Sequence, residues 1–163
     1  MIENNKVYQD FNNQIKKNII DFISKNKNQS AIGTINKRGF PIVSKVLPMI
    51  FKKNIYLLLS DLSEHTKNIK NEKKTSLYFF SEELKKDRLN SERLTLIGKT
   101  KKLKIEKKDS FFQELLYNFS LIEPNGKIWG NFSDFNFYIF KNNETIYIRG
   151  FGKAFKTKEN IFK

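Results

Sequence analysis

Between residues 8 and 23, apolar side chains recur every three or four positions at Tyr8, Phe11, Ile15, Ile19 and Phe22. This spacing predicts an amphipathic helix with one core-facing stripe. Polar residues from Ser24 to Gln29 end it. From Ser30 to Asn36 the pattern becomes β-like. Lys37-Arg38-Gly39-Phe40-Pro41 then reads as a hairpin turn, in which glycine permits positive φ and proline sets the start of the next strand. That strand, Ile42 to Phe51, is mostly apolar but contains Pro48, which cannot donate to a ladder, so a bend, bulge or edge is expected there. Lys52-Lys53-Asn54 turns the chain into Ile55-Tyr56-Leu57-Leu58-Leu59, the continuous apolar run of a strand buried on both faces.

Ser60 or Asp61 is placed to cap a short helix expected from Leu62 to Glu72. A strand follows from Thr75 to Ser81, then a charged loop without periodicity from Glu82 to Glu92, then a long strand from Leu94 to Leu103 with a bulge expected at Gly98. After Asp109-Ser110, a plausible N-cap pair, the spacing of Phe111, Phe112, Leu115, Leu116 and Phe119 is helical, and Glu123-Pro124-Asn125-Gly126 breaks that helix. Two final strands, Phe132 to Phe140 and Thr145 to Phe155, are expected to join through the polar turn Lys141-Asn142-Asn143-Glu144. This order of elements, with short hairpin links, favours a closed antiparallel barrel with peripheral helices over a parallel α/β sheet.

The 163 residues suit one domain with its own core. Sixteen Phe are enough large rings to fill a core, a dimer seam or a site for a flat prosthetic group. Without cysteine there is no disulfide framework, thiolate nucleophile or cysteine-ligated metal centre, which fits a reducing cytoplasm. The first residues, Met1-Ile2-Glu3-Asn4-Asn5-Lys6, lack the pattern of a signal peptide, and no apolar run approaches the roughly 18 residues of a membrane span, so neither export nor membrane insertion is expected. The net charge of +14 raises nucleic acid as a partner. Against that, only Arg38, Arg88, Arg93 and Arg149 among the 31 basic residues are arginine, and a solvated lysine surface is the preferred reading.

His65 is the single histidine, so any imidazole base or metal ligand within the chain must be this one. A structural histidine on the helix surface is the competing reading. The surrounding Ser60, Thr66, Lys67 and Asn68 place hydroxyls, an amide and a cation near a helix N-terminus, where unpaired N–H groups favour an anion such as a phosphate or propionate. Arg93 opens the apolar strand Leu94-Thr95-Leu96-Ile97, where a guanidinium requires either an anion or a salt bridge to Glu92 or another acid. Asp134 interrupts an aromatic stretch, where it either caps a turn or orients a ligand-bearing partner, the turn being favoured by sequence alone. No glycine-rich phosphate loop, metal-spaced histidine cluster or carboxylate pair is present, which argues against Rossmann dehydrogenases, P-loop nucleotidases and zinc hydrolases.

Taken in order, Ala31-Ile32-Gly33-Thr34-Ile35 with Gly39-Phe40-Pro41, Leu59 to Asn68, Arg93-Leu94-Thr95-Leu96 and Gly150-Phe151-Gly152-Lys153-Ala154-Phe155 form a series. It resembles the pyridoxamine 5'-phosphate oxidase-like FMN-binding split barrels, in particular the haem-utilisation (HutZ/HugZ-like) branch, over residues 19 to 155. The resemblance implies a mainly β α+β fold: a six-stranded antiparallel split β-barrel with peripheral helices, forming a homodimer that holds haem or FMN in clefts between the subunits. It divides the single domain, 1–163, into an N-terminal helix (1–28), the barrel (29–155) and a short tail (156–163). It places Arg93 near the distal side of haem and gives Asp134 the role of supporting a proximal histidine. In the family that histidine lies just beyond the segment matching Gly150 to Phe155, and this sequence has none there. The expectation is therefore haem held weakly or through another iron ligand such as His65, or flavin in its place. Three activities follow from the resemblance: oxidative haem degradation, an FMN-dependent oxidoreductase with Ser60, Thr66 and Lys67 on the phosphate, and a haem carrier without turnover.

Overall fold

A computed structural model describes residues 7–81, 87 and 90–162. The charged loop expected over Glu82 to Glu92 lies outside the described residues except at Asp87 and Asn90 to Glu92. The elements run α1 (Asn13–Lys25), β1 (Ser30–Ile35), β2 (Pro41–Lys45), β3 (Met49–Phe51), β4 (Asn54–Ser60), α2 (Glu64–Asn71), β5 (Lys74–Phe80), β6 (Arg93–Lys102), α3 (Ser110–Ser120), α4 (Gly126–Trp129), β7 (Phe135–Ile148) and β8 (Ala154–Thr157). The eight strands form one sheet in the order β2-β1-β5-β6-β7-β4-β3, with β8 also on β7, and every ladder is antiparallel. The mainly β antiparallel expectation is met, with eight strands where the resemblance implied six.

The connection between β2 and β3 shows that the sheet is curled. These strands stand six places apart in the order, about 29 Å if the sheet were flat. Yet only Val46, Leu47 and Pro48 join Lys45 to Met49, a reach of about 14 Å at most. The sheet must bend until its two edges approach each other. Pro48 is what divides the expected single strand, Ile42 to Phe51, into β2 and β3, because it supplies no ladder donor.

The final strand pair was misplaced by the sequence pattern. Residues 135–148 are one strand, and Lys141-Asn142-Asn143-Glu144 lies within it. Ile97 pairs with Glu144 and Gly98 with Asn142, so Asn143 is the extra residue of a bulge at the glycine foreseen for that purpose. A Cβ on Gly98 would stand 2.0 Å from the Lys141 carbonyl oxygen, so only glycine lets the strands approach this closely. The bulge divides β7: its first half pairs with β4 and its second half with β8. The turn joining β7 to β8 is instead at Gly150 and Gly152, both at positive φ (140° and 71°).

Helix boundaries also shift. α1 begins after Asn12, whose side chain accepts from the Ile15 amide at 2.9 Å; Tyr8 and Phe11 precede it, and Gln9 bridges to Phe155. Ser63, not Ser60 or Asp61, is the N-cap residue of α2. The short α4 follows the predicted break and was not foreseen.

Two apolar layers explain the continuous run of β4. Ile55, Leu57 and Leu59 face the concave side with Tyr138 and Phe140 and pack under Ile15, Ile19 and Phe22 of α1. Tyr56 and Leu58 face the other way and are covered with Phe137 and Ile139 by Phe112, Leu115 and Phe119 of α3. Residues after Phe155 complete the first layer rather than trailing from it, since Ile161 and Phe162 are buried there.

Candidate functional site

The bend from β4 into α2 carries most of the predicted site residues. Ser60 donates from Oγ to Asp134 Oδ2 at 2.5 Å, and the Asp61 amide donates to the Asp134 carbonyl at 2.7 Å. Asp134 is thus the turn residue that fastens the start of β7 to the end of β4. Its carboxylate is engaged by a hydroxyl, not by a histidine.

The expected anion site at the N-terminus of α2 is only partly available. The amides of Thr66 and Lys67 both donate to the Ser63 carbonyl, and the Leu62 amide donates to Ser60 Oγ. Thr66 is fully buried, and among the described residues its hydroxyl has no hydrogen-bond partner. Asn68, also buried, donates to Thr34 Oγ1 at 3.1 Å.

The remaining residues fall into three hollows. His65, Ser60 and Ser63 border a hollow of about 610 Å³ with a wall of Leu47, Leu58, Phe119, Ile122, Trp129 and Phe135, and with Lys45 at its rim. Burial lowers the pKa of His65 below its ordinary value of 6.5, so its neutral imidazole persists at neutral pH. Lys67 lies on another face of α2, above a basic hollow of about 520 Å³ shared with Lys37, Arg38, Lys70, Asn68 and Asn71. Arg93 lines a third, of about 440 Å³, with Asn90, Phe151 and the two turn glycines, and donates from Nη1 to the Ser91 carbonyl at 3.0 Å. Glu92, the salt-bridge partner considered for Arg93, accepts from the Tyr147 hydroxyl and stands 3.8 Å from Arg149.

Sequence reasoning missed the wall and its brace. Lys107 inserts its ammonium among the carbonyls of Gly130, Phe132 (2.6 Å) and Phe135 (3.2 Å), holding the turn that presents Asp134 and Phe135. Burial lowers the pKa of Lys107, with the charge of Asp134 opposing that effect. Lys45, Phe119, Trp129 and Phe135 come from four separate elements or connections. The one signal for them in the sequence is the density of aromatic residues from Trp129 to Phe137.

Among the described residues, no group of three or more His, Cys, Asp or Glu side chains could hold a metal ion. No helix among them is long and apolar enough to cross a membrane.

Several solved structures share this fold. A haem-binding protein from Mycobacterium smegmatis is 20% identical with a TM-score of 0.74, over 86% of this chain and 57% of its own. ChuZ from Campylobacter jejuni is 21% identical with a TM-score of 0.78, over 94% of this chain and 63% of its own. HutZ, the haem storage protein from Vibrio cholerae, is 16% identical with a TM-score of 0.67, over 77% of this chain and 88% of its own. The chain thus spans under two thirds of the length of the first two. No curated protein matches it. The likeness read from the sequence motifs to the haem-utilisation split barrels holds in three dimensions as a common fold. The family model of the CREG β-barrel matches residues 23–161, and the chain belongs to that family.

Proposed function

We propose that the chain binds haem in the hollow beside His65, as a homodimer whose second copy completes the cleft. The observation that carries this reading is one imidazole, kept neutral by burial, at the edge of an aromatic-walled hollow of about 610 Å³. The residues present fit the group. The half-buried rings of Trp129 and Phe135 offer flat apolar surface to a macrocycle, backed by buried Phe119. His65 offers a nitrogen lone pair for the iron, and Lys45 with Ser63 offers donors for carboxylates. The relatives named for haem binding and haem storage give the reading further support.

The need for a second copy is supported by the separation of the site residues. His65 and Arg93 line different hollows of one subunit, whereas the resemblance puts Arg93 at the haem. Exposed apolar residues on the sheet, Val43, Tyr78, Phe80 and Ile97, with Phe40 in the turn before β2, offer a face for that copy. Bound haem would supply redox-active iron for oxidative cleavage of its own ring. The chain's part is to exclude water with the aromatic wall, hold the iron through His65 and place the Arg93 guanidinium as a donor in the cleft.

A second reading, an FMN-dependent oxidoreductase, is favoured by the hollow of Lys37, Arg38 and Lys67, whose cations suit a phosphate. Absorbance titration with haem and, separately, with FMN distinguishes the two. The haem reading expects a sharp, stoichiometric Soret band. Its decay under ascorbate and oxygen would indicate haem degradation, and its persistence a carrier. Stoichiometric FMN with only a broad haem spectrum would overturn the haem reading.

A further inference from the structure

Past the C-terminal end of α2, the β6–α3 connection leaves a groove of about 840 Å³ that shares only Lys70 with the hollows above and nothing with the one beside His65. Six lysines border it: Lys70 and Lys73 from α2 and the residues after it, Lys101 and Lys102 from the end of β6, and Lys104 and Lys108 from the connection. Its floor is apolar, formed by half-buried Leu103 and Ile105 over the buried side chains of Ile69 and Tyr138.

The charge is only partly neutralised. Asp61, beneath the groove, pairs with Lys70 (3.2 Å) and Lys102 (3.5 Å) and accepts from the Tyr138 hydroxyl at 3.1 Å. Burial would raise the pKa of Asp61, but the bonds from Lys70 and Tyr138 and the charge of Lys102 outweigh it, so the carboxylate stays ionised. Glu106 is taken by Lys108 at 3.0 Å, and Asp109 accepts from the Glu106 amide. Among the described residues no ion pair engages Lys73, Lys101 or Lys104. Three ammonium groups without an ion pair among the described residues therefore stand around a hydrophobic floor.

We propose that this groove binds an amphiphilic anion, a flat or elongated apolar body bearing at least two carboxylate, sulfonate or phosphate groups. The rim supplies attraction for more than one negative charge. The floor gains from burying apolar surface, which a bare polyanion lacks. Nucleic acid fits less well. The lining has no arginine, and its one aromatic ring, Tyr138, is itself 1% exposed, leaving no platform for stacked bases. The volume is that of a small-ligand site.

The test uses bis-ANS, a dianionic aromatic probe, with the 15N-labelled full chain. The expected result is saturable movement of the Leu103 and Ile105 amide signals. The double reversal Lys101→Glu/Lys104→Glu should weaken this binding at least tenfold, and Lys73→Glu on the opposite rim should do so severalfold. His65→Ala should leave it within twofold. Shifts confined to the surroundings of Trp129 would overturn the proposal, as would unchanged affinity in a charge-reversed protein that keeps its wild-type amide spectrum. Displacement at equal concentration by tripolyphosphate would assign the groove to charge alone, and tighter binding of single-stranded RNA would assign it to nucleic acid; either result overturns the proposal.

Discussion

Ser60 and Asp134 lie 74 positions apart in the chain and meet through a 2.5 Å hydrogen bond that locks the end of β4 to the start of β7. Because Ser60 also borders the His65 hollow and Asp134 precedes Phe135 of its wall, this bond sets the shape of the candidate site. Ser60→Ala and Asp134→Ala should each cost about 1–2 kcal/mol in urea unfolding. The double variant should cost less than the two losses added together, since both singles remove the same interaction. Strictly additive losses would mean that the pair is not coupled.

Gly98 is the second point on which the architecture depends. Gly98→Ala pushes a methyl group against the Lys141 carbonyl, which is backbone and cannot swing aside, so a loss of about 2 kcal/mol or more is expected. Gly39 serves as the comparison. Its φ of +84° strains alanine but the surrounding space is open, and Gly39→Ala should cost only about 1–2 kcal/mol. Thermal unfolding of the two variants orders them; equal losses would contradict a role for the bulge in closing β6 onto β7.

These two glycines also show what the sequence makes legible. Gly39 beside Pro41 announced its turn, and Gly98 in an apolar strand announced its bulge, because each is a local backbone requirement written in a single residue. Lys141-Asn142-Asn143-Glu144 misled because it has the composition of a turn, and the bulge that absorbs Asn143 depends on the partner strand, not on the segment itself. The site divides in the same way. His65, Ser60 and Asp134 were identifiable from chemistry that few residues carry. Lys45, Trp129 and the Lys107 brace were not, since the Pro48 break and the unforeseen α4 bring them together only in three dimensions.

Acid should affect His65 in a defined direction. Burial holds its folded pKa below 6.5, so protonation favours the unfolded chain; its contribution to stability is complete above about 6.5 and is lost as pH falls below that value. Iron ligation by the neutral ring should follow suit. Haem affinity is expected to fall on acidification with a midpoint below 6.5, as followed by Soret titration. A midpoint above 6.5 would contradict the assignment.

Arg93 provides a test of the proposed two-copy cleft. Arg93→Ala should weaken haem affinity severalfold, or abolish turnover where turnover is found, while sedimentation shows an unchanged dimer. Unchanged binding and activity would remove Arg93 from the site and, with it, the argument that two copies build one cleft.

The most direct test of the central claim is the absorption spectrum of the haem complex of His65→Ala beside that of the wild type, before and after addition of free imidazole. If His65 holds the iron, the substitution should shift and broaden the Soret band and weaken haem binding at least tenfold, and imidazole should restore the wild-type spectrum. A His65→Ala protein with the wild-type Soret band and affinity would contradict the account.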